Sequence, residues 1–310
     1  MRGITTMHYR QAFVRHFHGL DLAMAPFIPT VRAERIHPKL LRDILPENNT
    51  ALPLIPQLIG NNAGDFVHMT RALHELGYQE VNWNLGCPHK PIRNKRRGSG
   101  LLPHPELVDA FLDEVFRGSP CRVSVKVRLG VSGPSDLLAL APVLNRYPLS
   151  EVIIHPRTAE QMYDGTADLD AFEEAFRTLT PPVCYNGDID RLSFYRQVKG
   201  RFPDINRFML GRGLLSNPFL CEGIKGANSR DGNAVAQIAG FHDDLLARYE
   251  AALHGDHPVL GKMKEFWTYQ IIHLSNGEKM FKKLKKTRDL STYRSIVASF
   301  LPEASWNAPA

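Results

Sequence analysis

The chain has 310 residues, 43% of them apolar, with a formal net charge of +6 and a pI near 9.1. This length allows one large domain, or one large and one small, and the charge favours a polyanionic partner. The four cysteines show no CxxC pair or metal-type spacing, and no apolar run reaches about 18 residues. We therefore expect free thiols in a reducing cytoplasm, and neither a membrane segment nor an export signal.

Seven short apolar runs predict β-strands, and helical patterns lie between them. Strands that are apolar almost throughout and separated by helices are typical of a parallel sheet covered by helices. The predicted strands are Leu20–Phe27, Leu52–Gly60, Glu80–Gly86, Arg122–Gly130, Glu151–Arg157, Pro182–Asp188 and Arg207–Gly213.

Apolar residues at helical spacing predict the helices that follow these strands. In the first of them Asp65 is the predicted N-cap, and the second ends at Gly118. The apolar positions are Phe66, Met69, Leu73 and Leu76 in the first helix, Leu107, Phe111, Val115 and Phe116 in the second, and Leu169, Phe172 and Phe176 in the third.

Polar residues follow many different strands, and no glycine-rich dinucleotide turn follows the first one. A (β/α)8 TIM barrel gathers such residues on one face around one site, so we predict a barrel whose eighth strand is missing. The barrel should occupy residues 1–224. The polar residues at strand ends are Gln57, Cys87, Lys126 with Arg128, His155 with Arg157, Asn186, and Arg212.

From about Gly226 onward the pattern is helical, which predicts a small C-terminal helical domain over residues 225–310. Between Gly261 and Arg288 there are seven lysines and one arginine against two glutamates. Such a segment is either a solvated lysine face or a phosphate-binding surface, with Trp267 and Tyr269 available for stacking.

Several strand-end residues have side chains suited to a phosphorylated ring cofactor. Glycines at Asn186-Gly187 and at Gly211-Arg212-Gly213 allow backbone N–H groups to approach a phosphate, as in the late loops of a barrel. Lys126, charged within an apolar strand, pairs with a core carboxylate or stabilises a reduced flavin. Gln57 can bind an amide edge of the same ring, and Arg157 makes a ligand role for His155 more plausible.

Cys87 lies in a Gly-Cys-Pro turn and precedes a basic loop. Nearby cations favour a thiolate or a polarised thiol, which can act as a nucleophile or as a proton donor. The residues alone leave both roles open. Gly98 and Gly100 flank Ser99 and are expected to give the loop room to close. The five cations are Lys90, Arg93, Lys95, Arg96 and Arg97.

Five motifs together resemble the tRNA-dihydrouridine synthase family, from Gly3 to about residue 295. They are NWNLGCPHK, SVKVRLG, IIHPRTAEQMYDG, CYNGDI and MLGRGLLSNP. The resemblance implies an FMN enzyme in which NADPH reduces the flavin, hydride goes to C6 of a uridine, and a cysteine protonates C5. The tail KMKEFWTYQIIHL is similar to that of the bacterial subgroup acting on position 16 of the D-loop, and tRNA is the implied partner.

The resemblance also implies a role for individual residues. Cys87 would be the general acid, and Asn84, Arg128 and Tyr163 would hold the uracil. Gln57, Lys126 and His155 would contact the isoalloxazine ring. The remaining cofactor-binding residues, chiefly at the phosphate, would be Met1, Asn186, Gly187, Asp188, Gly211 and Arg212.

The chain departs from the family pattern at two places. Met1 matches the methionine of the family's opening motif, so the first strand and the Ala-Pro before that methionine are absent. We expect a late start site or a shortened chain, which would remove one barrel strand and part of the FMN site. Pro156 replaces a usual glycine and is expected to stiffen its loop.

Two other functions are compatible with these residues. One is an FMN barrel oxidoreductase acting on a small molecule, although such a substrate would not need the basic loop or the lysine-rich tail. The other is a tRNA-binding protein without turnover. Nothing in the sequence demands a protein partner or an oligomer, and we expect a monomer.

Overall fold

The computed structural model describes residues 1, 3–32, 36–227 and 234–307. None of the described helices combines the length and hydropathy that a membrane crossing requires. The strands are β1 (Ala23–Met24), β2 (Ile28–Pro29), β3 (Leu54–Ile55), β4 (Gln57–Ile59), β5 (Glu80–Leu85), β6 (Arg122–Gly130), β7 (Val152–Thr158), β8 (Val183–Tyr185) and β9 (Arg207–Phe208).

Fourteen α-helices are described along the chain, together with short 3-10 turns. The helices are α1 (Met7–His16), α2 (Pro38–Leu41), α3 (Ala63–Glu75), α4 (Lys90–Arg93), α5 (Pro105–Gly118), α6 (Ser135–Leu144), α7 (Leu169–Thr178), α8 (Leu192–Arg201), α9 (Arg212–Ser216), α10 (Leu220–Ile224), α11 (Ala234–Ala252), α12 (Asp256–Gln270), α13 (Gly277–Leu284) and α14 (Leu290–Phe300).

The chain divides into two compact units. The sheet unit comprises Leu22–Asp188 and Phe202–Leu210, and the helical unit comprises Met1–Asp21, Ile189–Arg201 and Gly211–Ala310. This division differs from the boundary predicted after residue 224. Helix α1 belongs with the C-terminal helices because its Phe13 packs in their apolar core. That residues 225–310 bind tRNA stays a prediction.

The sheet unit has the strand order of a barrel. One sheet of seven parallel strands runs β2-β4-β5-β6-β7-β8-β9, in chain order and without a switch point. In a doubly wound sheet the order of the strands reverses part-way across the sheet. The uninterrupted order here therefore confirms the predicted barrel architecture. Among the described residues no pair joins β9 back to β2.

All seven predicted ranges contain strand residues, but the first two strands are interrupted. The first forms β1 inside the predicted range Leu20–Phe27 and β2 directly after that range, and the second forms β3 and β4. β1 pairs with β3 in a separate two-stranded sheet. Ala23 pairs with Leu54 whereas Ile28 pairs with Leu58, so the first strand carries one extra residue between its pieces. Pro26 and Pro56 lie in these breaks and cannot donate to a ladder, which explains the interruption.

The outer face of the sheet packs against helices through large apolar side chains. Trp83 of β5 is fully buried and stacks on Phe111 of α5, with ring centroids 3.8 Å apart. Asp65 of α3 is not the N-cap that was predicted. Asn62 takes that position and accepts from the Asp65 backbone N–H at 2.8 Å, since its side chain lies one residue before the first turn.

The helical unit has its own core, built on aromatic rings. Phe17 makes edge contacts with Phe219 and Phe241, with centroids 5.1 and 5.3 Å apart. The helical pattern predicted from about Gly226 onward is confirmed by α11 to α14. Trp267 is fully buried and donates to the Tyr293 hydroxyl at 2.7 Å. The prediction that Trp267 is available for stacking is therefore wrong.

Candidate active site at the carboxyl ends of the strands

Alternation along the strands separates an apolar outer face from a polar inner one. In β6, Val123, Val125 and Val127 are fully buried against the helices, and Ser124, Lys126 and Arg128 lie on the opposite face. The strand register then places Gln57 beside Asn82, Asn84 beside Lys126, and Arg128 beside His155. Residues from four consecutive strands are thereby brought together, as predicted for a barrel.

A chain of side-chain amides links this interior to the Cys87 turn. The Asn84 Oδ1 accepts the backbone N–H groups of Gly86 at 3.1 Å and Cys87 at 2.9 Å. Its Nδ2 therefore donates to Gln57 Oε1, at 2.8 Å. Gln57 Nε2 in turn donates to Asn82 Oδ1, also at 2.8 Å. Because a backbone N–H can only donate, the turn at Cys87 fixes the orientation of every amide behind it.

The chain of side-chain amides includes Asn82, a residue that sequence reasoning did not select. Asn82 Nδ2 donates to Ser124 Oγ at 3.0 Å, and both residues are buried. Gln57 Nε2 has one further hydrogen, whose recorded partner is the thioether of Met24 at 3.0 Å, a weak acceptor. The alternation Val81-Asn82-Trp83-Asn84 in β5 was the signal that could have identified Asn82.

Cys87 is buried and tightly held. Its carbonyl accepts from the Ser99 hydroxyl at 2.8 Å and from the Ser99 backbone N–H at 3.2 Å. A Cβ on Gly98 would lie 2.8 Å from the Cys87 Cβ, and one on Gly100 would lie 2.4 Å from the Arg93 carbonyl. These glycines permit close packing, which differs from the predicted room for loop closure.

The basic segment after Cys87 is a short helix and a turn. Lys90, Lys95 and Arg96 are exposed. Asn61 fastens the segment, because it donates to the Lys95 carbonyl and accepts from Arg97 Nε, both at 3.1 Å. Three cations therefore face solvent from a segment that has fixed contacts with the sheet unit.

Lys126 lacks a counter-charge in the described part of the chain. Its ammonium makes no hydrogen bond or ion pair with another described residue, so the alternative of a core carboxylate partner is wrong. Burial and the charge of Arg128 lower the pKa of Lys126 to about 8. Such a lysine favours an anionic or electron-rich group beside it.

Arg128 is 2% exposed and donates mainly to backbone carbonyls. Its Nε binds the Gly86 carbonyl at 3.0 Å, and its Nη1 binds the carbonyls of Thr158 at 2.7 Å and Met162 at 2.6 Å. The guanidinium also lies 5.4 Å from the ring centre of Tyr163. Burial lowers its pKa to about 10, which leaves it charged at neutral pH. Arg128 thus connects the turn before Cys87 with the loop that bears Tyr163.

The predicted phosphate residues of the sheet unit lie after β8. Asn186 Nδ2 donates to the Met209 carbonyl at 2.7 Å. A Cβ on Gly187 would lie 2.8 Å from the Tyr185 hydroxyl and 3.1 Å from Pro156 Cδ, so Pro156 packs on this glycine. Both oxygens of Asp188 accept from Arg157, which leaves its carboxylate unsuited to a phosphate.

Three predicted cofactor residues belong to the helical unit. Gly211 is the N-cap of α9, which begins at Arg212, and a Cβ on Gly211 would meet nothing within 4 Å. Met1 packs at the edge of the helical unit's core, and its carbonyl accepts the backbone N–H groups of Ile4 and Thr5.

The helical unit also presents an exposed cationic surface, here called the basic face. None of its members makes an ion pair with a described residue, whereas Lys264 is tied to the Thr287 carbonyl at 2.7 Å. The basic face consists of Lys279, Lys282, Lys283, Lys285, Lys286 and Arg288.

The donor set of the sheet unit fits FMN. The ring edge of a flavin requires hydrogen-bond donors and a cation. Lys126 and the second Nε2 hydrogen of Gln57, which meets only the Met24 thioether, supply donors without strong partners. Among the described residues no group of His, Cys, Asp and Glu is arranged to hold a metal ion.

Comparison with known proteins gives consistent matches. The sequence model of the family described as Dihydrouridine synthase (Dus) matches residues 1–292. A tRNA-dihydrouridine(16) synthase from Aquipseudomonas alcaligenes is 28% identical over 309 residues, 96% of this chain and 97% of that protein. The tRNA-dihydrouridine(16) synthase of Pseudomonas putida is 28% identical over 276 residues, 86% of this chain and 79% of that protein. A tRNA-dihydrouridine synthase B from Pasteurella multocida is 25% identical over 255 residues, 82% and 76% of the two chains.

Two solved structures share the fold at low sequence identity. Histamine dehydrogenase from Rhizobium sp. 4-9 has a TM-score of 0.56 and 9% identity, and the match covers 78% of this chain and 47% of that one. An old yellow enzyme homologue from Zymomonas mobilis has a TM-score of 0.54 and 10% identity, covering 76% and 86%. At these identities the likeness concerns the fold alone.

Proposed function

The chain belongs to the dihydrouridine synthase family, and from that premise we propose that it reduces specific uridines of the tRNA D-loop to 5,6-dihydrouridine. It is an oxidoreductase of that family, and FMN is the proposed cofactor with NADPH as the reductant. Two relatives that match most of the chain are named for position 16, so uridine 16 is the proposed target.

The cofactor assignment rests on donors that lack strong partners. Lys126 and Gln57 would bind the polar edge of the flavin ring together with His155. Asn186 and Gly187 would hold the phosphate within the sheet unit, and for Gly211, Arg212 and Met1 a cofactor role stays a prediction from the family resemblance. For Asp188 we propose only a backbone contact with the phosphate, because its carboxylate is paired with Arg157.

Saturation of the uracil C5–C6 double bond needs a hydride at C6 and a proton at C5. Bound FMN supplies the hydride chemistry. The Cys87 thiol holds the proton destined for C5, and the adjacent charge of Arg128 stabilises the thiolate that remains. Of the two roles open to Cys87, proton donation is therefore the one proposed.

The uracil would be held by residues around Cys87. Asn84 uses its Oδ1 on backbone N–H groups and one Nδ2 hydrogen on Gln57, so its second Nδ2 hydrogen can bind a uracil carbonyl. Tyr163 is 45% exposed and can stack on the base. Arg128 would contribute its charge while it holds both neighbouring loops.

Phosphate contacts are proposed at two exposed basic surfaces, one in each unit. These are the segment that carries Lys90, Lys95 and Arg96, and the basic face of the helical unit. Cations without ion-pair partners gain most when they meet phosphates, because no existing interaction is lost. A small-molecule substrate would need neither surface.

The observation that carries the proposal is the position of Cys87 in the turn held by Asn84, whose register partner on the adjacent strand is the unpaired Lys126. The decisive experiment maps dihydrouridine at single-nucleotide resolution in tRNA from cells that lack the gene. Loss at one D-loop position, restored by the purified protein with FMN and NADPH, is expected. A complete dihydrouridine pattern in those cells would refute the proposal, and a colourless protein that still binds tRNA would favour binding without turnover.

A further inference from the structure

The loop after β7 exposes a large aromatic side chain. Residues 159–167, here called the Tyr163 segment, join β7 to the N-cap of α7. Tyr163 is 45% exposed. Met162 beside it has a φ of 52°, a left-handed conformation that an unbranched residue adopts only when its surroundings hold it there.

Two buried arginines hold this segment by its carbonyls. Arg128 donates to the carbonyls of Thr158 and Met162. Arg157, 1% exposed, donates from Nε to the Asp164 carbonyl at 3.1 Å and from Nη2 to the Gly165 carbonyl at 2.6 Å. The backbone on both sides of Tyr163 is therefore fixed by guanidinium groups.

Asp188 completes this arrangement. Its two oxygens accept from both Nη atoms of Arg157, and Oδ2 also accepts the Ala167 backbone N–H at 2.8 Å. Asp188 itself has a φ of 41°, directly after the Asn186-Gly187 turn. The ion pair thus ties the end of the Tyr163 segment to the turn proposed to hold the phosphate.

Arg157 also determines how His155 is protonated. Its Nη1 lies 3.2 Å from His155 Nε2. A guanidinium has no acceptor, so Nε2 must accept, and a neutral His155 must carry its proton on Nδ1. One side chain therefore orients a proposed flavin ligand and a proposed uracil ligand.

We propose that Arg157, paired with Asp188, is a positioning residue for the reaction. It holds the Tyr163 segment in its substrate-binding conformation and keeps His155 in the Nδ1–H tautomer, without touching the substrate. The inference rests on the proposed function in one respect, namely that the Tyr163 segment is held in order to bind the uridine substrate.

The test compares Arg157→Lys and Asp188→Asn with Arg207→Lys as the matched control. Arg207 pairs with the buried Glu151 at 3.1 Å in the same unit, away from the Tyr163 segment. In FMN-loaded protein, both test variants should exchange amide hydrogens in residues 158–167 faster by about tenfold or more, since each weakens the Arg157–Asp188 pair that holds the segment. The control should exchange there at the wild-type rate.

Kinetics and NMR supply measurements that general destabilisation of the fold would not change. Both test variants should raise KM for tRNA by about tenfold, whereas the control should keep the wild-type KM. In wild-type protein, ¹⁵N NMR should show an unprotonated Nε2 on His155, assigned with His155→Gln. If Arg157→Lys does not fold, the amide exchange of Asp188→Asn and the His155 tautomer of the wild type still test the proposal.

Unchanged exchange across residues 158–167 in both variants would overturn the positioning role, as would an Nε2–H tautomer in the wild type. Exchange and tautomer are properties of the protein itself. If no dihydrouridine is formed by wild-type protein, the proposed function fails while these two measurements still test the inference.

Discussion

Cys87 shows how the contacts of one residue distinguish roles that composition leaves open. Cys87→Ala should leave FMN bound and reducible by NADPH but lower dihydrouridine formation by about 100- to 10,000-fold, as expected for a lost general acid. Flavin reduction and tRNA-dependent reoxidation, followed separately by absorbance, check this. Cys121→Ala is the control, because Cys121 is also buried in the sheet unit but donates to the Tyr78 carbonyl. Product formation at the wild-type rate by Cys87→Ala would contradict the assignment.

Lys126 gives a pH dependence with a defined sign. Its ammonium is charged below about pH 8 in the folded protein and neutral above. FMN binding should therefore weaken as pH rises through 8, and Lys126→Met should bind FMN more weakly and without this step. Fluorescence titration of FMN from pH 6 to 10 measures both. A wild-type affinity that stays constant from pH 7 to 9 would show that Lys126 does not meet the cofactor.

The same group affects stability without cofactor. An unfolded lysine keeps its proton to about pH 10.4, so between the two pKa values the unfolded chain binds more protons and rising pH stabilises the fold. The free-energy cost of burying the charged Lys126 ammonium is fully present below pH 8. Lys126→Met should thus raise the free energy of unfolding at pH 7 by roughly 1–3 kcal/mol, a gain that shrinks toward pH 10. Urea unfolding at pH 7 and 10 measures it, and an equal effect at both would contradict it.

At the scale of elements, the turn after Cys87 depends on glycine for space as well as for backbone angle. Gly98 has a φ of 55° and would place a Cβ 2.8 Å from that of Cys87, whereas Gly77 has a φ of 96° and open space. Alanine at either position should cost about 1–2 kcal/mol of stability for the left-handed backbone. Only Gly98→Ala should also displace Cys87 and reduce turnover. Thermal unfolding and steady-state rates separate the two effects, and equal turnover in both variants would exclude displacement.

The sequence predicted the elements well because their patterns are local. Apolar runs marked the strands, although β2 lies just past the predicted end at Phe27. The β6 range was predicted to the residue, since alternation and the closing glycine are both visible in Arg122–Gly130. The breaks at Pro26 and Pro56 depend on strand pairing, so their effect on register became visible only in the sheet. Trp267 was wrongly predicted to be available for stacking, because a pattern of surface lysines does not indicate which neighbouring residues face the core.

The candidate site was predictable as a set of strand ends but not as a network. Gln57 and Lys126 follow from their positions in apolar strands, whereas Asn84 was selected only through the family resemblance. The amide chain through Asn82 to Ser124 could not be predicted, because those residues are 42 positions apart. Likewise, Arg157 and Asp188 are 31 positions apart, and only the fold shows that they are paired.

At the scale of the whole molecule, charge distribution should determine how tRNA binds. The cations of the basic face have no ion-pair partner among the described residues. Three of them belong to α13, namely Lys279, Lys282 and Lys283. Replacing these three by Gln should weaken tRNA binding and lower the slope of log K against log salt concentration by roughly 2–3, since each phosphate contact adds about 0.7–0.9. Flavin reduction by NADPH should not change.

The matched control removes the same charge elsewhere. Lys39, Arg71 and Arg117 are exposed cations of the sheet unit, and replacing all three by Gln alters net charge equally while leaving α13 intact. Filter binding to tRNA from 50 to 300 mM salt measures both triple variants. If the two lower the slope equally, tRNA responds to total charge and α13 is not a binding surface. A slope lowered only by the α13 variant assigns phosphate contacts to that helix, because non-specific attraction depends on net charge and would affect both variants alike.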